Sequence, residues 1–426
     1  MIWPIYAVYV CIVGLIRMFK WVEYQFLKLC AVKVKQVWKA QEKKVGIMFR
    51  CPGEKWTDED NKRLLAECAR YDKLVHVKVN DEDVFIRWTN LGSLGFGETY
   101  MEKMWDYTDS PEDLTEMTKR VLEKKLLQRY YVGWNKLFDW LELFAFNLQT
   151  RERAFQVGVV HYDLGNKLYE LMLDPWMQYT CGYWKDANNL NDAQLHKMEL
   201  IAKKLDLKPG MRVLDIGCGW GTLCKYLAEK YKVTCVGVTI SKEGVIYGKQ
   251  INEGLPVDIR LQDYREVDEK FDRIVSVGIL EHVGFRNYRE FFSLARRCLV
   301  DDGIFLMHSI GRNHANFPRS ERFSDKYIFP NGNLANPEDI AKATNGLFII
   351  EDWHNFGPDY AKTLYAWREN FIKGWPQIEH QYDEKFYRMW IFYLSMARAL
   401  FLSRKCQLWQ IVFSKDGLKR EYRAAR

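Results

Sequence analysis

Apolar and polar residues follow different periods in different parts of the chain, and those periods predict its elements. An uncharged apolar run, Met1 to Ile16, opens it. Between residues 45 and 110 the runs His76–Val79 and Val84–Trp88 read as strands beside a helix over Asp58–Tyr71, the makings of a small mixed domain. Ser110-Pro111-Glu112-Asp113 then supplies a cap, a first-turn proline and two acids, so helices are expected from there toward Thr150. Their apolar positions, Leu126, Leu127, Tyr130, Trp134, Leu137, Phe138, Leu141 and Phe144, need a neighbour to pack against.

From about residue 192 short β-rich runs alternate with helical periods. A helix over Asp192–Leu207 leads into a strand at Arg212–Ile216, a glycine loop and an amphipathic helix to Tyr231. Further strands are expected at Val233–Thr239, Val257–Leu261, Phe271–Val277, Gly303–Ser309, Leu347–Trp353 and Gln407–Lys415, and Asn336-Pro337-Glu338 repeats the capped helix start. Strands separated by helices predict an α/β fold: a parallel, doubly wound, seven-stranded sheet of the Rossmann-like methyltransferase type. The last strand joins after a long helical insertion. Between Trp353 and Tyr393 that insertion holds 13 aromatic residues, about twice the density implied by the 15% of the whole chain. Such density suits either a helical core or an aromatic-walled lid over a cavity, and the sequence leaves both open.

Composition narrows the class. With 426 residues, 48% of them hydrophobic and 28% charged, and with 27 Gly and 11 Pro, the chain is an ordered globular protein with room for more than one domain. The 10 cysteines are scattered without a C-x-x-C pair or a histidine at ligand spacing. No metal site and no disulfide framework are expected, and the setting is expected to be reducing and cytoplasmic. The net charge of +7 is carried between Arg17 and Arg50, where nine basic residues face two acidic ones. A basic belt beside an apolar run predicts a phospholipid membrane as partner, not nucleic acid. The run is shorter than the roughly 20 residues of a spanning helix. A shallow interfacial anchor is therefore expected ahead of a span, which Met18, Phe19, Trp21 and Val22 would have to prolong.

Candidate chemistry begins at Gly217-Cys-Gly219-Trp-Gly221, a turn between strand and helix. Its G-x-G-x-G spacing is not that of a dinucleotide site. Backbone N–H groups at a helix N-terminus suit a carboxylate, and Asp215 suits an amino group, which together describe the zwitterionic end of S-adenosylmethionine. A glycine turn that binds nothing is the plainer alternative. After the third strand, Asp263 suits the exocyclic amine of adenine and Tyr264 its ring face.

Several longer motifs stand in one order: His161-Tyr-Asp-Leu-Gly-Asn166, Asp174-Pro-Trp-Met-Gln-Tyr-Thr-Cys-Gly-Tyr-Trp184, Leu214-Asp-Ile-Gly-Cys-Gly-Trp-Gly221, Gly237-Val-Thr-Ile-Ser241, Gly278-Ile-Leu-Glu-His-Val-Gly284 and Asp325-Lys-Tyr-Ile-Phe-Pro-Asn-Gly332. With Gly92-Ser-Leu-Gly-Phe-Gly-Glu98, they resemble the cyclopropane-fatty-acyl-phospholipid synthases, relatives of the mycolic acid cyclopropane synthases, over about residues 85–415. The first 45 residues lie outside the pattern of the bacterial members. The resemblance implies an enzyme that transfers a methylene group from S-adenosylmethionine to the cis double bond of a phospholipid acyl chain. A carbocation forms, and loss of a proton from the delivered methyl closes the ring. It also implies bicarbonate as the base, held by Cys181, Glu281, His308 and Tyr360 with the backbone of Ile310, and a homodimer.

For the methyl donor the resemblance implies Tyr179, Thr180, Asp215, Gly217, Gly219, Thr239, Asp263 and Tyr264. Gly244 departs from the pattern, because many relatives carry there a glutamine for the ribose; Glu243 is the candidate substitute. Taken singly, Cys181 and His308 also read as ordinary buried side chains, and His282 beside Glu281 is a rival base. Other outcomes stay open: a methyl-branched or methylene product of the same carbocation, a small-molecule methyltransferase without the anion site, or a lipid-binding relative without catalysis. The expected organisation is an anchoring extension over 1–45, a small α+β domain over 46–110, a helical linker over 111–155 and the catalytic domain over 156–420.

Overall fold

The computed structural model describes residues 14, 18–19, 21–68, 70–127, 165–313 and 321–426. Most of the apolar run Met1 to Ile16, the expected helical positions from Tyr130 to Phe144, and His161 to Leu164 of the first motif lie outside the described residues. The chain divides into two compact units, Met1–Phe146 with Glu321–Phe323 and His380–Ser403, and Asn147–Ser320 with Ser324–Glu379 and Arg404–Arg426.

In the first unit β1 (Ile47–Arg50), β2 (Val75–Val79) and β3 (Trp105–Tyr107) form a sheet in that order, β1 parallel and β3 antiparallel to β2. Val84–Trp88, expected as a strand, lies instead in the helix Asp83–Leu91. The short apolar run satisfies both periods, and packing decides: Phe85 meets Phe49, and Trp88 meets Phe96 and Trp105. The helix Asp58–Glu67 starts in a reciprocal capping box between Thr57 and Asp60, and Pro111–Glu123 starts as expected at Ser110, boxed with Asp113.

Two boundaries fall elsewhere than expected. Trp38, on the helix Ala31–Lys39, is fully buried, donates to Thr89 Oγ1 at 3.1 Å and stands edge-on to Trp88 at 5.2 Å. The segment before residue 45 therefore contributes to this core. The helix Glu384–Leu402 belongs to it as well: Phe392 packs on Phe96 and Tyr100, and Arg388 donates to the Tyr100 carbonyl at 2.6 Å and pairs with Asp106 at 2.9 Å. The second half of the aromatic insertion is thus core of the first unit.

The second unit contains every strand predicted for the main sheet: β4 (Arg212–Ile216), β5 (Thr234–Thr239), β6 (Val257–Leu261), β7 (Phe271–Val277), β8 (Leu299–Gly311), β9 (Ile349–Asn355) and β10 (Gln407–Ser414). Their order is β6-β5-β4-β7-β8-β10-β9. β10 runs antiparallel to both neighbours, so the sheet is mixed where a wholly parallel one was expected. A strand entering between two others after a long excursion needs no crossover to a parallel neighbour, and the alternation of helix and strand does not dictate its direction. Neighbouring residues bury on opposite faces, Val213 and Cys235 in one core, Leu214 and Val236 in the other. Strands covered on both faces read as continuous apolar runs. The C-terminal ends of β4 to β8 share one edge, the place where an open α/β sheet receives ligands.

Candidate active site

β4 ends in a turn that only glycine accommodates. Gly217 has φ +82°, and a Cβ there would collide with the side chain of Ile279. Its N–H and that of Cys218 donate to the Val238 carbonyl at 2.9 and 3.1 Å, which pins the turn to β5. The helix Thr222–Tyr231 starts immediately afterwards, directing its unsatisfied N–H groups at the turn. Asp215, expected to receive an amino group, is buried; its carboxyl accepts from the Cys224 thiol at 3.6 Å, and desolvation pushes its pKa up to about 7. Thr239 Oγ1 accepts from the Ser241 N–H at 3.2 Å, and its carbonyl accepts from Gln262 N–H at 3.0 Å. That last bond brings Asp263 and Tyr264 to the end of β5. Asp263 Oδ1 accepts from the Arg265 backbone and guanidinium at 3.0 and 2.9 Å, while no donor among the described residues reaches Oδ2. Tyr264 stands edge-on to Phe291 at 5.6 Å.

The segment Gln178–Cys181 is fastened from two sides. On the helix Leu190–Lys204, Gln194 Nε2 donates to the carbonyls of Gln178 and Thr180 at 3.3 and 2.8 Å, and Lys197 Nζ donates to Gln178 Oε1 and Thr180 Oγ1 at 2.5 and 2.8 Å. On the helix Gly357–Gly374, Thr363 Oγ1 accepts from Gly182 N–H at 3.1 Å and Trp184 Nε1 at 2.9 Å, and lies 4.0 Å from Cys181 Sγ. Tyr360 is one turn earlier on the same helix face. Its buried ring is edge-on to Trp367 at 6.0 Å, and Trp367 meets Tyr179 at 5.1 Å. The first half of the aromatic insertion thus packs beside Tyr179 and the Cys181 segment.

His308 on β8 lies opposite Gln410 of β10, whose Nε2 donates to His308 Nδ1 at 3.4 Å and leaves the ring proton on Nε2. Desolvation, then the charges of Lys197 and Lys204, hold the imidazole well below its ordinary range, so it is neutral. Its Nε2 is buried without a partner. Glu281 sits on the short helix Leu280–Val283 beyond β7; Oε1 accepts from Ile310 N–H at 2.6 Å, and Oε2 is buried without a partner. Burial pushes this carboxyl up to about 7. The Ile310 amide, part of the backbone expected to contribute to the anion site, is engaged by Glu281 and orients it. Burial also raises the Cys181 thiol well above its ordinary pKa, and the thiol donates to the Gly182 carbonyl at 3.2 Å, so it is no thiolate nucleophile. Phe356 lies 5.8 Å from His308 and 5.3 Å from Tyr183, giving the β8 and Cys181 segments a common wall. The rival His282 packs on Phe329 at 5.7 Å, and burial lowers its pKa to about 4.

Residues 149–411 match the family model described as mycolic acid cyclopropane synthetase. The chain belongs to this family. The cyclopropane-fatty-acyl-phospholipid synthase of Escherichia coli K12 is 46% identical over 353 residues, 82% of this chain and 90% of that protein. Among solved structures, the cyclopropane synthase MmaA2 from Mycobacterium tuberculosis is 29% identical with a TM-score of 0.59, over 63% of this chain and 100% of that one. The mycolic acid cyclopropane synthase CmaA1, complexed with SAH and CTAB, is 33% identical with a TM-score of 0.58, over 61% of this chain and 98% of that one. The cyclopropane synthetase fold and dependence on S-adenosylmethionine follow from this membership.

At Gly244, where the resemblance implied a glutamine, a Cβ would lie 2.6 Å from the Gly219 carbonyl oxygen, so the helix Lys242–Ile251 presses on the glycine turn and admits no side chain. Sequence reading missed the polar residues that hold the site together: Gln178, Gln194, Lys197, Thr222, Thr363 and Gln410. One signal was available. Gln194 and Lys197 occupy the same helical stripe as Leu190 and Ile201, where a buried polar group needs a buried partner.

Proposed function

We propose that the protein is an S-adenosylmethionine-dependent cyclopropane-fatty-acyl-phospholipid synthase, which delivers a methylene group to the cis double bond of an unsaturated phospholipid acyl chain with bicarbonate as base. The observation that carries the site is one pair of buried, unpartnered atoms, His308 Nε2 and Glu281 Oε2. A donor or acceptor left so costs about 1–3 kcal/mol, which a ligand offering both functions recovers. A bicarbonate ion would fit: His308 Nε2–H and the Tyr360 hydroxyl would donate to its oxygens, and Glu281 Oε2 would accept from its hydroxyl, with the neutral Cys181 thiol beside it.

When bound, S-adenosylmethionine supplies an electrophilic methyl, and bicarbonate supplies a base for the proton that methyl loses. The chain supplies everything else. Glu281, with a pKa near neutrality, receives a proton and releases it again. Tyr179, Tyr360 and Trp367 pack ring against ring beside the Cys181 segment, an aromatic cluster that would keep water from a positive carbon, with a ring face worth ~0.5–2 kcal/mol to it when desolvated. Cys181, held as the neutral thiol, does not compete for the methyl. Mass spectrometry of lipids from cells producing the protein tests the reaction. Monounsaturated chains are expected to gain one methylene that survives mild hydrogenation. A product that hydrogenation reduces marks the methylene-forming alternative, and unchanged acyl chains overturn the reading.

The N-terminal segment is the proposed contact with the bilayer. Along residues 21–39, helical on either side of Cys30, Trp21, Val22, Phe26, Leu29 and Val32 are exposed, with Lys28 and Lys33 among them. Apolar side chains facing water beside lysines suit an anionic lipid interface. Among the described residues no helix is long and apolar enough to cross a membrane. The family resemblance supports a homodimer, and the scattered cysteines support a reducing, cytoplasmic setting.

A further inference from the structure

The chemistry above leaves Lys197 unused. Its ammonium is fully buried, and no carboxylate among the described residues forms an ion pair with it. A buried ammonium without a paired carboxylate is costly, so its hydrogen bonds have to be worth that cost. We infer that Lys197 is a positioning residue for the methyl donor: through Gln178 and Thr180 it turns the hydroxyls of Thr180 and Thr222 into hydrogen donors aimed at the donor's carboxylate.

An ammonium only donates, and this fixes the direction of every bond around it. Gln178 Oε1 accepts from Lys197, so its amide nitrogen turns away and donates to Thr222 Oγ1 at 2.7 Å. Thr180 Oγ1 accepts directly from Lys197. Each threonine oxygen therefore receives a hydrogen bond, and each hydroxyl proton is left to give one. No acceptor among the described residues takes either proton. Thr222 is the first residue of the helix that follows the glycine turn, where free backbone N–H groups already favour an anion. Thr180 precedes Cys181 and approaches Gly278, at the mouth of β7. Two directed hydroxyls and a helix N-terminus on one network call for a carboxylate, and the amino-acid end of S-adenosylmethionine carries one. The inference rests on the methyl-donor reading and adds to it the group that aims the site.

Calorimetry on the full chain tests it with two probes, S-adenosylhomocysteine and 5′-methylthioadenosine, which share the nucleoside thioether but differ in the amino-acid end. Lys197→Met is expected to weaken S-adenosylhomocysteine about 10- to 100-fold, the loss typical of hydrogen bonds to a charged group, and to leave methylthioadenosine unchanged. Thr222→Val keeps the ammonium in place and is expected to show the same selective loss, so the question is answered even where Lys197→Met does not fold. Parallel weakening of both probes in Thr222→Val, or of neither, overturns the role. If the unaltered protein binds neither probe, the methyl-donor reading itself fails.

Discussion

Burial treats the two central side chains in opposite ways. Glu281 is pushed up to about 7, into the range where a carboxyl exchanges protons near neutrality, whereas His308 is held neutral and can only donate through Nε2. Glu281→Gln preserves the shape and an oxygen for the Ile310 amide but removes the proton acceptor. Turnover is expected to fall about 10²- to 10⁴-fold with S-adenosylhomocysteine affinity unchanged, measured by assay and calorimetry side by side. Because the carboxylate is the working form, the rate is expected to rise with pH and level off above about 7. The same shift acts on stability with the opposite sign. A carboxyl whose folded pKa lies above its unfolded value binds its proton more tightly when folded, so its contribution is present at low pH and is lost as pH rises through the folded value. The unaltered protein is expected to lose melting temperature relative to Glu281→Gln between the ordinary carboxyl range and about 7. Of the four side chains proposed to hold the anion, Cys181 and Glu281 were legible in long motifs, whereas His308 and Tyr360 lie in none of them and came only with the family resemblance. Thr363 and Gln410, which brace them, were not legible, since a lone Thr on a helix or Gln in a strand carries no sequence mark of its buried partner.

At the scale of elements, the glycine turn governs the donor site. Gly244→Ala would press a methyl into the Gly219 carbonyl oxygen, backbone that has nowhere flexible to go. Overpacking of this kind costs about 1–3 kcal/mol. A lower melting temperature is expected together with several-fold weaker S-adenosylhomocysteine binding, because the displaced atom belongs to the turn. Asn336→Ala provides the contrast: it removes a capping box with Asp339 on the helix Pro337–Thr344 and is expected to cost about 1 kcal/mol without touching the donor affinity. Caps and doubly buried strands were readable because their signals are local. The direction of β10 was not, because it depends on where the chain returns from. Nor was the helical state of Val84–Trp88, which its packing against Phe49, Phe96 and Trp105 decides.

At the scale of the molecule, unit boundaries were the least legible feature, since an aromatic run looks the same whichever core it fills. Trp38 and Val45 are fully buried in the first unit, so removing residues 1–45 would open that core and confuse lost binding with lost folding. Substituting the exposed face avoids this. Trp21, Phe26 and Leu29 are 62%, 63% and 87% exposed, so replacing all three with Gln takes little from the fold. Complete burial of such side chains is worth about 1.5–3 kcal/mol each, and even partial insertion of three at a lipid interface sums to a change of at least about a hundredfold in partitioning. The triple variant is expected to lose sedimentation with anionic vesicles while keeping its melting temperature and its turnover of detergent-presented substrate. Neutral vesicles separate the two forces, because the lysine attraction disappears there while the apolar term persists, leaving the unaltered protein weakly bound and the variant unbound. Vesicle binding by the triple variant equal to that of the unaltered protein would move the membrane contact away from this helix face.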